Sequence, residues 1–392
     1  MIHHARVRRA LSLVFVLGAC AREEATTTTV YDPWTGEAYP EKRPHVTLPA
    51  SFALVPSSAT DTLSVLDLAT GAVVAEAPIG RRPVVVDGPQ QVVADMTRRL
   101  AFVVDAYPDA VVGGTHTHGG SSRPGFVQVV SLDDLRVVGE VRVDPNPGEI
   151  ALSSDGKRLV VSHFDLGLAR NMRLPVESRR AAIAVIDPFA IQAFDTPEPD
   201  KLAVCAAPHG VALGADVAYV ACYGEDAIGI VNLADTYAPV VRVPVGLGAG
   251  PYGVALSPDG ARLAIGARDA RDLRIMDVAS RTVGAPIPAL GETWVPAWSA
   301  DGGSVFVPTR SMEGVARIDG KSGAIVRQRL FDAKTCLAPI EVVVRGERLH
   351  VVCEGDGVSR GALVTLDAST LEIASRIELG RIPGRPFVGS GP

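Results

Sequence analysis

His116 and His118 form a His-x-His pair inside the Gly-rich stretch GGTHTHGGSSRPG, and His163 and His209 follow further along the chain. Neutral imidazoles in such a set are ligands for zinc or copper. The competing reading is that His116 and His118 sit in a loose Gly-rich loop and that His209 fills a repeated strand position. Glu149, Glu341 and Arg385 are a second constellation: two carboxylates and a guanidinium could grip a polar ligand, or a cation such as calcium. The bland alternative is a surface ion pair between Glu341 and Arg385, which is worth little in water. Cysteines supply a third: Cys205 and Cys222 are 17 residues apart, and so are Cys336 and Cys353. Each pair brackets a hairpin turn, and antiparallel residues equidistant from a turn lie about 4.5–5.5 Å apart. That is disulfide distance, so Cys205–Cys222 and Cys336–Cys353 are the expected bonds. The alternative, a cysteine metal site, lacks any Cys-x-x-Cys. No nucleophile elbow, haem-attachment motif, phosphate loop or His-Glu-x-x-His is present. No cofactor is expected.

These residues need a scaffold, and residues 251–291 show which. PYGVALSPDGARLAIGARD followed by DLRIMDVASRTVGAPIP contains four short runs of apolar alternation. Turns rich in Gly, Pro, Asp and Ser bound them, which is the strand-and-hairpin pattern. A lone sheet of this size cannot bury both faces, so it must repeat. The end of the third run recurs as VLD to Asp67, VVS to Ser131, VID to Asp187, IVN to Asn232, IMD to Asp277, RID to Asp319 and TLD to Asp367. The steps are 64, 56, 45, 45, 42 and 48 residues. Four strands recurring every 40–45 residues or so is the propeller signature. The Asp, Asn or Ser itself is a turn residue, accepting backbone N–H bonds just after the strand.

The expected fold is all-β: a seven-bladed β-propeller of four-stranded antiparallel blades. Blade one, from Phe52 to Gly80, has only three strands of its own. Its inner strand is expected from Pro383 to Val388, so that the two ends of the chain pair and close the ring. The long steps are inserts after the second strands of blades two and three, at 107–125 and 164–180. Loops between blades and loops between second and third strands open on one face. The inserts, the cysteine pairs and His116, His118, His163 and His209 map there, and loop-borne inserts on a rigid scaffold are where function concentrates. On the inner strands His209, Tyr252 and Trp294 share one position. The next position reads Gln90, Glu149, Gly210, Gly253, Val295, Glu341 and Arg385, and it is expected to face a solvated funnel mouth.

PYGVALSPDGARLAI, PGEIALSSDGKRLVVS and VLDLATGAVVAEAPIG resemble the repeats of the YVTN family of seven-bladed propellers. The resemblance covers about 340 residues. It implies the fold but no single activity, because the family includes surface proteins, binding proteins and enzymes.

Composition narrows the setting. The chain is 47% hydrophobic and 21% charged, which fits a large β core and excludes general disorder. The formal charge is −6 with no basic run to follow a phosphate backbone, so nucleic acid is not an expected partner. Arg6, Arg8 and Arg9 precede the apolar run Leu11–Leu17, which ends in LGAC at Cys20. This resembles the lipobox of bacterial lipoproteins and implies cleavage before Cys20 and acylation of it, hence a membrane partner. Ala21 follows, not the Asp of inner-membrane retention, so the outer membrane of a bacterial envelope is the expected location. The division is then a leader over 1–19, an acylated tether over 20–50 and the propeller over 51–392. The leading functional expectation is a monomeric, lipid-anchored, non-enzymatic scaffold that binds a protein or small ligand through the insert-bearing face. The alternatives are a lactonase-like or redox propeller enzyme and a metal-binding redox accessory protein.

Overall fold

All seven repeated turn residues do the work their side chains allow. Asp67 accepts the Ala69 N–H at 2.9 Å, Asn232 that of Ala234 at 2.9 Å, Ser131 that of Asp133 at 3.2 Å and Asp187 that of Phe189 at 2.8 Å. Asp277, Asp319 and Asp367 make the same kind of bond. Hydroxyl and N–H donors hold the Asp367 carboxyl at about 2, the Ser369 hydroxyl being the strongest. Each turn sends the chain from a third strand to a fourth.

The computed structural model describes residues 45–81, 86–106, 123–193, 196–288 and 291–391. It also describes a small hairpin of Thr29–Asp32 with Glu37–Pro40. Cys20, His116 and His118 lie outside the described residues. Seven antiparallel sheets follow one another. Blade two runs Pro89–Asp95, Leu100–Asp105, Pro124–Ser131 and Val137–Pro145. Blade three comprises Pro147–Leu152, Leu159–His163, Ala181–Ile186 and Asp200–Cys205. Blade four is Pro208–Leu213, Val217–Cys222, Ala227–Asn232 and Val241–Pro244. Blade five begins with Pro251–Leu256, and its outer strand is split into Thr282–Val283 and Ile287–Pro288. Blade six has a short inner strand, Ala297–Trp298, and blade seven begins with Pro339–Arg345.

The ring closes as expected. Phe387–Gly389 pairs antiparallel with Phe52–Ser57, in the register Phe52↔Gly389, Ala53↔Val388 and Leu54↔Phe387. That removes the free sheet edge that two unpaired ends would leave. Apolar side chains pack between neighbouring blades: Phe102, Val129, Val161 and Ala184 join blades two and three, and Ile183, Val204, Val220 and Val231 join three and four. Each buried Val, Leu or Ile contributes roughly 1.5–3 kcal/mol.

Both disulfides form, with Cα–Cα distances of 5.6 Å for Cys205–Cys222 and 5.2 Å for Cys336–Cys353. The bonded cysteines do not face each other directly across a hairpin. Across their hairpins Cys222 faces Pro208 and Cys353 faces Pro339. Cys205 ends the outer strand of blade three, opposite Ala181. Each bond therefore ties the connection entering a blade to the end of that blade's second strand. The first one joins two blades.

Candidate functional site

Every inner strand enters from the insert-bearing face, and its first residues meet at the ring axis. Three of these entries carry His209, Tyr252 and Trp294, all fully buried or nearly so. The His209 ring stacks on Tyr252 at 3.7 Å, and Tyr252 meets Trp294 edge-on at 4.9 Å. Phe164, the first residue of the blade-three insert, packs edge-on against both His209 (5.0 Å) and Tyr252 (5.5 Å). A short helix, Leu166–Ala169, follows; Asp165 caps it by accepting the Leu168 N–H at 2.7 Å. Arg268 lies over the Tyr252 and Trp294 rings at 5.1 and 4.7 Å, and Arg310 over Trp294 at 5.0 Å. The mouth expected to be a solvated funnel is an aromatic plug.

Under the plug lies the charged ring. Glu149 and Glu341 are fully buried, so the expected wet ion pair is a dry one. Arg385 reaches both: Nη1 is 3.3 Å from Glu149 Oε2 and Nε is 3.5 Å from Glu341 Oε2. Glu149 also accepts the Val211 N–H of the next blade at 3.0 Å. Burial pushes its carboxyl up to about 6 against those contacts. Glu341 is pushed well up, first by burial, with Arg385 opposing and the neighbouring Glu149 and Glu354 adding to it. Strong perturbation of buried carboxylates is a mark of functional sites, but structural ion networks produce it too. These groups also join blades. Gln91 Oε1 accepts the Ile150 N–H at 3.0 Å and Gln91 Nε2 donates to Glu341 at 3.5 Å.

Gln91 takes the place in this ring that the sequence alignment assigns to Gln90. Gln91 pairs with Val104 as Gly253 pairs with Gly266, and both follow a bulge after the strand's first Pro. Gln90 belongs one position earlier, with His209, Tyr252 and Trp294. A one-residue slip turns a strand side chain to the opposite side.

Of the four candidate histidines, His163 and His209 are described, and they do not form a metal-binding group. His163 accepts the Asp144 N–H at Nε2 (3.1 Å) and donates from Nδ1 to the Ala182 carbonyl (2.7 Å). That fixes one neutral tautomer and occupies both nitrogens, and burial pushes its pKa down. His209 Nδ1 donates to the Tyr252 carbonyl at 3.2 Å and lies 4.0 Å from Glu149. Among the described residues no group of three or more His, Cys, Asp or Glu is arranged to hold a metal ion.

One device escaped the sequence reading. Asp61, Asp226 and Glu313 each stand just before a third strand with positive φ, at 50°, 48° and 44°. Each carboxylate accepts N–H groups from the connection into the next blade. Asp61 takes Asp87 and Gly88, Asp226 takes Gly248 and Gly250, and Glu313 takes Ala338. An acid immediately preceding the third strand is the signal that marks them.

The fold has many solved counterparts. The periplasmic gluconolactonase PpgL of Pseudomonas aeruginosa is similar with a TM-score of 0.63 at 16% identity, over 87% of this chain and 99% of that one. Dihydro-heme d1 dehydrogenase NirN, in complex with DHE, gives 0.53 at 17% over 88% and 77%. Apo AztD from Citrobacter koseri gives 0.53 at 13% over 88% and 99%. Neither a family model nor a curated protein sequence matches the chain. The chain is a seven-bladed β-propeller of four-stranded blades. At such identities the likeness is one of fold.

Proposed function

We propose that this chain is an extracytoplasmic propeller lipoprotein, YVTN-like in its repeats and anchored through Cys20, that docks a protein through its insert-bearing face. One observation carries the reading. The loops of that face expose large apolar side chains: Met172 (78%) and Leu174 on the blade-three insert, Leu247 (101%) between blades four and five, Met312 in blade six and Val358 (78%) in blade seven. Arg170 and Arg173 are exposed beside Met172. Exposed Met and Leu edged by Arg fit a protein interface. The loops of the opposite face expose Phe189 and Tyr237, and Phe189 already lies under the Arg98 guanidinium at 4.0 Å. The axial carboxylates lie beneath the plug and are engaged with neighbouring blades.

The test is cross-linking on intact envelopes with wild type and the double variant M172E/L247E. Adducts lost in the variant, with an unchanged melting temperature, support the docking face; an identical adduct pattern overturns it. C20S tests the anchor separately and should release the protein from the membrane fraction. One observation favours a second reading, a lactonase-like hydrolase: Glu149, raised to about 6, lies 3.3 Å from Arg385, and one structural counterpart is a gluconolactonase. Opening of aldonolactones by wild type but not E149Q would support it, and equal inactivity of both would remove it.

A further inference from the structure

Past the charged ring, the axial channel widens into a cavity of about 490 Å³ that opens on the face away from the inserts. The inner strands build its wall two positions beyond the ring. There the chain places Ala151, Ala212, Ala255 and Ala297, with Val93 and Val343. The seventh strand places Phe387 at this position. The remaining wall is Val, Leu, Ile and Pro, with Trp298. The indole N–H of Trp298 is already given to the Ala255 carbonyl at 2.9 Å. Among the described residues that line it, Arg385 is the one ionisable side chain.

Arg385 forms the floor. Its side chain is 27% exposed, while the Glu149 and Glu341 behind it are at 0%. Nε and Nη1 face those carboxylates, and Nη2 makes no bond among the described residues. The glutamates do not line the cavity. A molecule entering it therefore meets apolar side chains, the backbone of the inner strands between them, and a guanidinium at the end.

We propose that this cavity binds a small monocarboxylate with an apolar body. Its carboxylate would sit on the Arg385 guanidinium and its hydrocarbon against the alanine and valine wall. Three physical points select this chemistry. The planar guanidinium suits carboxylates. The described wall offers no further charged or hydroxyl side chain, so additional polar groups on the ligand would have only backbone to pair with. The volume lies within the roughly 300–1,000 Å³ of small-molecule pockets. A cation would meet the guanidinium first, because the two carboxylates lie behind it and do not line the cavity. This site is independent of the docking face.

Trp298 lines the cavity and reports occupancy. Octanoate, octanol and octylamine are titrated separately into the purified protein, followed by tryptophan fluorescence and by calorimetry. The expected result is saturable one-to-one binding of octanoate, at least tenfold tighter than octanol, with octylamine weaker still. R385M should weaken octanoate at least tenfold and erase its advantage over octanol. Because Arg385 also neutralises the axial ring, A255L provides a second variant that fills the cavity and leaves the charges in place. It should weaken octanoate and octanol alike at least tenfold, with an unchanged circular dichroism spectrum. Octanoate and octanol binding equally well to wild type would overturn the proposal. So would an octanoate affinity untouched by A255L, or no saturable octanoate binding.

Discussion

The two ends of the axial channel are built from the same seven strands and turn out as opposites. At the insert-bearing end, backbones crowd together and aromatic rings close the gap. At the other end, six of the seven strands carry only Ala or Val two positions beyond the charged ring, with Phe387 in the seventh, and a cavity opens there. Blade five shows the switch within three residues. A Cβ on Gly253 would stand 2.5 Å from the Val295 Cα and 2.9 Å from the Trp294 carbonyl oxygen. Two positions on, Ala255 lines the cavity. The lesson is that closure of the ring is a backbone matter at one end only. Function at the sealed end must use its loops, while the open end can use the channel itself.

The largest test of this contrast is a pair of one-step enlargements on one strand. G253A forces backbone against backbone, where no side chain can swing away. Overpacking of this kind costs typically 1–3 kcal/mol and more when backbone must move, so a loss of about 3 kcal/mol is expected in urea unfolding. A255V adds two methyl groups facing open channel and should stay within about 1 kcal/mol. Equal losses from the two substitutions would mean that the ends are packed alike, and the contrast would fail.

The disulfides come next in size. Both lie at the sealed end, so reducing them should loosen that end first. Each closes a 17-residue separation, worth at most about 3 kcal/mol in the chain-entropy model. C205A/C222A should lower stability by about 2–3 kcal/mol, since that bond also joins two blades, and C336A/C353A by no more. Thermal melts with and without reductant measure both. A wild-type melt unmoved by reductant would show that the bonds add nothing to the sealed end.

The ring itself was legible because its signals are local and repeated. Seven turn acceptors such as Asp67 and Asp277 mark the third strands, and Pro383–Val388 stands out as an inner strand lacking a blade. The disulfide partners could be paired from spacing, but their geometry could not. Nothing local says that Cys205 still belongs to the outer strand of blade three. Gln90 was misassigned because blade two has two glutamines after its Pro and a bulge decides which one turns inward. The plug was beyond reach for a different reason. Phe164 lies 45 residues from His209, and an aromatic residue opening an insert reads the same whether it folds over the axis or away from it. Whether a charged ring is wet or dry depends on that cover.

The smallest expected effect tests how the sealed end is latched, through Asp61. Its carboxylate accepts the Asp87 and Gly88 N–H groups at 3.0 and 2.9 Å and so fixes the connection into blade two. Burial pushes its pKa up to about 6, outweighing those two bonds. A folded-state pKa above the unfolded one means that the native chain holds this proton more tightly. The stabilising contribution is therefore complete below the ordinary Asp range and is lost as pH rises through about 6. D61N keeps a carbonyl oxygen for both N–H groups, tolerates the positive φ of 50° as Asn does, and removes the ionisation. Relative to wild type, D61N should gain on the order of 2 kcal/mol between pH 4.5 and 7.5, measured by urea unfolding at both values. Parallel pH profiles for the two proteins would mean that Asp61 is as wet as the turn acceptors of the opposite face, and that the connection into blade two is held by something else.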